Sequence, residues 1–105
     1  MSDAKYAVVI TTTANREDAE TVAKSLLEQK LAACVQLLPI HSFYMWEGAA
    51  QSEDEVLLLI KTRADIYHEV QEAIVKVHKY ETPEIVQLPI VTGLPAYLSW
   101  ISDET

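Results

Sequence analysis

The chain has 105 residues, half of them hydrophobic and 23% charged, which suits one folded domain over residues 1–105 and excludes a disordered segment. Its 16 acids against 8 bases leave a formal charge of −8. That excludes the basic face needed to bind nucleic acid or an anionic membrane.

Tyr6–Thr12 is rich in β-branched residues and apolar on both faces, which predicts an interior strand. Asn15 predicts a helix N-cap, with Glu17, Asp18 and Glu20 near the positive end of the dipole. Ala19, Val22, Ala23, Leu26 and Leu27 then repeat at helical spacing, a buried stripe ending near Lys30. Ala33–Glu47 and Glu53–Arg63 read as two long strands, joined by a turn over Gly48–Ser52 into an antiparallel hairpin. Asp65 is placed as the cap of a second helix with the stripe Ile66, Val70, Ala73, Ile74 and Val77, ending before Pro83. Glu84–Val91 is a fourth strand, which Pro89 assigns to an edge or a bulge. Gly93-Leu94-Pro95 opens a short final helix carrying Tyr97, Trp100 and Ile101.

The order β-α-β-β-α-β plus a terminal helix predicts an α+β, ferredoxin-like domain, two helices on one face of a four-stranded antiparallel sheet. The first hairpin strand would span roughly 45–50 Å if straight, at about 3.3 Å per residue. A compact chain of this length has a radius of gyration near ~13 Å and a diameter of ~33 Å. The hairpin should therefore project beyond its domain unless Pro39 bends it. Val56, Leu57, Leu58, Leu59 and Ile60 cannot all be buried by helices on one face, and oligomerisation through the hairpin resolves this.

Residue types narrow the chemistry. Two glycines, Gly48 and Gly93, exclude a P-loop and a GxGxxG loop. One cysteine, Cys34, excludes an intrachain disulfide and a CxxC zinc framework. The N-terminus lacks secretory-signal character, and no apolar run approaches the ~18 residues of a membrane span. The expectation is a cytoplasmic protein with no membrane association.

Several strings carry a resemblance: Ala32-Ala33-Cys34-Val35; Ser42-Phe43-Tyr44-Met45-Trp46-Glu47-Gly48; Glu55 with Ile60-Lys61-Thr62; His78-Lys79-Tyr80-Glu81-Thr82-Pro83-Glu84-Ile85; and Tyr97-Leu98-Ser99-Trp100. Together, in this order and spacing, they resemble the CutA family, named for divalent-cation tolerance. The resemblance implies a ferredoxin-like subunit and a homotrimer built around the long hairpins. It also implies a cytoplasmic bacterial role tied to copper and other divalent metals, and no enzymatic reaction. Mammalian relatives are linked instead to acetylcholinesterase anchoring, so the fold alone does not fix one function. Lys79 stands where the family usually has proline, and Gln36 where it usually has asparagine. The copper ligands implied are a first-strand cysteine and a His-His pair. Here those positions are Thr12, Val77 and His78, so one of three carries over.

His78 with Glu81 and Glu84 forms a candidate metal site of imidazole and carboxylates, suited to copper or zinc. The alternative is a histidine capping the C-terminus of its helix. Cys34 is a candidate soft ligand for Cu(I), against the alternative of a small buried hydrophobe. His68 and Glu72 share a helix face, a weak metal pair or simply a solvated surface. The run Glu53-Asp54-Glu55 either attracts cations by its field or guards a strand end. His41 reads as a satisfied interface or core histidine. Tyr44, Trp46, Tyr80, Tyr97 and Trp100 either pack across subunits or line an inter-subunit pocket. In the pocket reading the ligand-cleft candidates are Lys61, Tyr80, Trp46, Tyr44 and Trp100, with Lys61 facing an anionic ligand; an ion pair to Glu47 or Glu81 would equally explain Lys61.

The expected function is therefore a trimeric, non-enzymatic protein of divalent-metal (copper) tolerance. It binds divalent cations and requires no cofactor. The alternative is a small-ligand signalling trimer resembling the PII-type proteins, with ligands in clefts between subunits. An enzyme would have to rest on His78 with Glu81, and a purely structural trimer would show no ligand response.

Overall fold

The computed structural model of the protein describes residues 3–105. Strand β1 (Tyr6–Thr13) leads to helix α1 (Arg16–Glu28), then strands β2 (Cys34–Trp46) and β3 (Ala49–Arg63). A 3-10 turn (Ala64–Ile66) enters helix α2 (Tyr67–Val77), followed by strand β4 (Ile85–Ile90) and helix α3 (Pro95–Glu104). The sheet order is β2-β3-β1-β4 with every pairing antiparallel, the ferredoxin-like arrangement.

Local chemistry sets the element ends. Asn15 Oδ1 accepts the Asp18 N–H at 2.8 Å, closing the N-cap of α1. At the other end Lys30 adopts φ 56°. The Leu31 N–H reaches the Leu26 carbonyl and the Lys30 N–H the Leu27 carbonyl, a Schellman stop with lysine in the left-handed position. The Thr62 hydroxyl then donates to the Leu31 carbonyl at 2.7 Å, tying this stop to β3.

Alternation along the strands divides the sheet into two faces. Val9, Leu58 and Ile60 are fully buried against Val22 and Leu26 of α1 and Val70 and Ile74 of α2. On the opposite face the register aligns Val8 with Lys61 and Leu88, Ile10 with Leu59 and Val86, and Leu38 with Leu57. Helix α3 covers one end of that face, where Ile101 is fully buried and the Tyr6 hydroxyl meets Ser102 Oγ at 2.7 Å. Farther on, Leu38, Val86 and Leu88 remain about half exposed.

The hairpin projects as its length requires. β1 ends opposite Val56, so Ala49–Glu55 pairs with β2 alone, and the long axis of the molecule is 44 Å. Pro39 does not bend it, because the register runs unbroken from Cys34↔Lys61 to Trp46↔Ala49. β2 and β4 are the two edge strands, where Pro39 and Pro89 remove no inner ladder bond.

Three sequence expectations are corrected. The turn is Glu47-Gly48 alone, with φ of 49° and 79°, a two-residue turn whose positive φ values match the twist of long strands. Asp65 does not cap α2, which has no side-chain cap; its carboxylate receives the Arg63 guanidinium at 2.8 and 2.9 Å. Leu27 lies outside the buried stripe, 47% exposed beside a fully buried Leu26. These neighbours supply a test of the core. Leu26→Ala should lower unfolding free energy by about 2–5 kcal/mol in denaturant titrations, and Leu27→Ala by less than about 1 kcal/mol.

Candidate functional site

Period-two geometry places Ser42, Tyr44 and Trp46 of β2 beside Gln51, Glu53 and Glu55 of β3 on one face of the projecting hairpin. The segment from Lys79 to Glu84, between α2 and β4, runs alongside. Between them lies a cleft of about 760 Å³. Its walls are Tyr44, Trp46 and Tyr80, and its carboxylates are Glu53, Glu55, Glu81 and Glu84. Lys79 is the one basic residue among the described residues that line it.

His78 is the hinge post of this segment. Its N–H closes α2 on the Ile74 carbonyl. Its ring Nε2–H donates to the Thr12 carbonyl at 2.7 Å, and Nδ1 accepts the Tyr80 N–H at 3.1 Å. This pattern belongs to the neutral Nε2–H tautomer and engages both ring nitrogens. The Tyr80 ring tilts against the imidazole, centroids 5.0 Å apart. Its hydroxyl then donates to Glu55 Oε2 at 2.7 Å, so one chain of contacts runs from β1 through His78 and Tyr80 to the hairpin.

The two phenols of the cleft are both held in the neutral form. Burial, the hydrogen bond to Glu55 and the charges of Glu55 and Glu53 push Tyr80 well above the ordinary tyrosine range. Tyr44 is raised by desolvation and then by the neighbouring Glu53 carboxylate.

The structure divides the sequence candidates. Tyr44, Trp46, Tyr80, Glu81 and Glu84 meet at the cleft, with His78 directly behind it. Lys61 and Trp100 do not join them. Lys61 lies six residues beyond Glu55, roughly 20 Å along the strand, with its Nζ 5.7 Å from the Tyr97 ring centroid. Trp100 stacks on the same Tyr97 at 5.6 Å. Cys34 pairs with Lys61 at that distant end. Among the described residues no three His, Cys, Asp or Glu side chains gather as a metal-ligand group. Both ring nitrogens of His78 are engaged by the backbone, and Cys34 stands apart from Glu81 and Glu84 at the far end of the hairpin.

Two pairings escaped the sequence reading. Glu55 anchors the Tyr80 phenol on the cleft face, whereas Asp54, on the other face, meets His41 Nδ1 at 2.7 Å. His41 also reaches Ser52 Oγ at 2.6 Å, so it is satisfied but exposed. The signal was parity. With the turn at 47–48, residues 44, 46, 53 and 55 share a face; a turn spread over 48–52 conceals this.

Comparison with known proteins is consistent along the chain. A family model described as CutA1 divalent ion tolerance protein matches residues 7–104. The divalent-cation tolerance protein CutA of Archaeoglobus fulgidus is 47% identical over 89 residues, 85% of this chain and 86% of that one. The chloroplastic protein CutA of Arabidopsis thaliana is 43% identical over 93% of this chain, which spans only 54% of that longer protein. A solved structure of the periplasmic divalent cation tolerance protein CutA from Archaeoglobus fulgidus superposes with a TM-score of 0.93 at 40% identity, covering 94% of this chain and 97% of that one. These relatives are named for the periplasm and the chloroplast, so the likeness does not carry the expected cytoplasmic location. Among the described residues no helix is long and apolar enough to cross a membrane.

The phenol network predicts a pH response. A raised folded value means that the neutral phenol stabilises the fold fully below the ordinary pKa of about 10, and that this contribution is lost as pH rises through the folded value. Spectrophotometric titration should show a phenol ionising later than the others. Tyr80→Phe should abolish that late step, and Glu55→Gln should shift it downward.

Proposed function

From its membership of the CutA1 divalent ion tolerance family, we propose that the chain acts in divalent-cation tolerance as a homotrimer that binds divalent cations, copper among them, reversibly. The observation that carries this reading is the gathering of Glu53, Glu55, Glu81 and Glu84 about one cleft in a chain of formal charge −8. Carboxylate oxygens suit exchangeable divalent ions, and field alone raises the local cation concentration. His78 acts in this account by positioning Tyr80. No reaction is assigned to the cleft, and no resident cofactor is invoked.

The trimer is supported by surface left over from folding. Leu38, Val86 and Leu88 are about half exposed on the sheet face that α3 leaves open. Phe43 and Met45 are 80% and 67% exposed on the hairpin. The first three share the open face and the last two lie on the other face of the hairpin; exposed apolar surface of this kind favours burial against other copies. The projecting hairpin supplies the reach, and a neighbour beside it would complete the outer wall of the cleft. A second reading, small-molecule sensing in that cleft, draws on the walls of Tyr44, Trp46 and Tyr80.

Light scattering should give a mass of three times 11.8 kDa at micromolar concentration, and Leu88→Asp should shift it toward one. A monomeric parent would overturn the trimer. Calorimetric titration with Cu(II), Zn(II) and Mn(II) should give affinity tighter than about 1 mM, the −4 kcal/mol level. Glu81→Gln/Glu84→Gln should weaken it several-fold, while His78→Ala should lower stability and leave affinity within about twofold. Metal binding abolished by His78→Ala alone, in a folded trimer, would restore the imidazole as a ligand.

A further inference from the structure

The cleft has features that a bare metal ion does not use. Its carboxylates are dispersed: Glu53 and Glu55 alternate along β3, with Cα atoms roughly 6.5 Å apart, and Glu81 and Glu84 stand on the facing segment. An inorganic divalent ion is held tightly only where several oxygens surround one point, within about 2.6 Å, and otherwise exchanges freely. No trio of such groups converges among the described residues. Dispersed anions instead match positive charges that are themselves spaced along a flexible body.

The walls are aromatic. Tyr44 and Trp46 alternate along β2 on the cleft face, 38% and 44% exposed, so both rings keep accessible surface, and Tyr80 lies across from them. Ring faces attract ammonium groups, tryptophan most strongly, and they pack methylene chains as well. The Tyr80–Glu55 hydrogen bond occupies Oε2 and fixes the carboxylate. Oε1 receives no hydrogen bond from the described residues and remains available as an acceptor. A volume of about 760 Å³ is that of a small-organic-ligand site. With Lys79 facing four glutamates, the lining disfavours an anion.

We propose that this cleft binds an organic ammonium ion, specifically an aliphatic diamine or polyamine. Its methylene chain lies on Tyr44, Trp46 and Tyr80, and its ammonium groups sit on Glu53, Glu55 and the facing pair Glu81 and Glu84. The inference uses the same cleft as the divalent-cation reading but does not depend on metal binding.

The test titrates spermidine and 1,4-diaminobutane into the full chain after passage over a chelating resin. 1,4-Butanediol serves as the uncharged counterpart. A Trp100→Phe background leaves Trp46 as the sole indole reporter, and calorimetry provides a readout free of fluorescence. The expected result is saturable spermidine binding at one equivalent per chain, with the diamine weaker and the diol silent. Glu53→Gln/Glu55→Gln keeps an acceptor for the Tyr80 hydroxyl while removing the charges, and should weaken spermidine at least fivefold. Trp46→Leu should weaken it about two- to fivefold. Lack of saturation below about 10 mM spermidine (near the −2.7 kcal/mol level), diol binding equal to the diamine, or affinity unchanged in the Glu53/Glu55 variant would each overturn the proposal. Spermidine binding by a chain that binds no Mn(II) or Cu(II) would uphold it while removing the divalent-cation reading. The reverse pattern would do the opposite.

Discussion

The register of the β2–β3 hairpin is the constraint on which the rest of the molecule depends. A two-residue turn at Glu47-Gly48, both at positive φ, locks Trp46 opposite Ala49 and carries the pairing unbroken to Cys34 and Lys61. A slip of one residue would turn Leu58 and Ile60 away from the helices and bring Leu57 and Leu59 toward them. It would also carry Glu53 and Glu55 to the opposite face, parting them from Tyr44 and Trp46, and put Asp54 in their place. The core and the candidate site are thus two readouts of one register, several turns of chain apart. The burial of Leu58 and Ile60 specifies the geometry of the cleft carboxylates.

Much of this was legible because it rests on periodicity. The period-two and helical patterns identify all four strands and three helices in the correct order, and strand length alone requires the hairpin to extend beyond its domain. What was not legible depends on φ values and on contacts distant in sequence. Glu47 at φ 49° follows no common turn signature, since hairpin turns of this type favour Asn-Gly or Asp-Gly. The turn was therefore displaced into Gly48–Ser52. Asp65 has the chemistry of a cap, but Arg63 two residues earlier claims its carboxylate. The pairing of Lys61 with Tyr97 required knowing that α3 folds back over the open face, which helix propensity does not reveal.

His78 shows how one motif position can serve two kinds of chemistry. The family resemblance implies metal ligands at the positions of Thr12, Val77 and His78, and the fold does bring two of them together: the His78 ring contacts the Thr12 backbone at 2.7 Å. With threonine in the strand, however, the imidazole finds a carbonyl rather than a thiolate. A neutral ring that donates at Nε2 and accepts at Nδ1 is satisfied on both sides. Freeing either nitrogen for a metal would leave the Thr12 carbonyl or the Tyr80 N–H without its partner, a loss of roughly 1–3 kcal/mol where the group is desolvated. In this structure His78 is the post that fixes where the Tyr80 segment crosses the hairpin.

That crossing explains how so many like charges are tolerated together. Four glutamates about one cleft repel one another, and the repulsion is weakest where solvent screens it. Tyr80 partly offsets it by donating its phenolic hydrogen bond to Glu55. It is a neutral donor, so it orients that carboxylate without cancelling its charge. An arrangement that keeps anions in place and leaves them negative is held in tension until a cation enters. The same tension would draw either a hydrated divalent ion or an alkylammonium chain. The aromatic walls discriminate between the two, because methylene groups gain from contact with Tyr44 and Trp46 whereas a hydrated ion gains little from them. Selectivity in the proposed site is accordingly a property of the β2 side chains, and its affinity for positive charge a property of the glutamates on β3 and on the segment facing it.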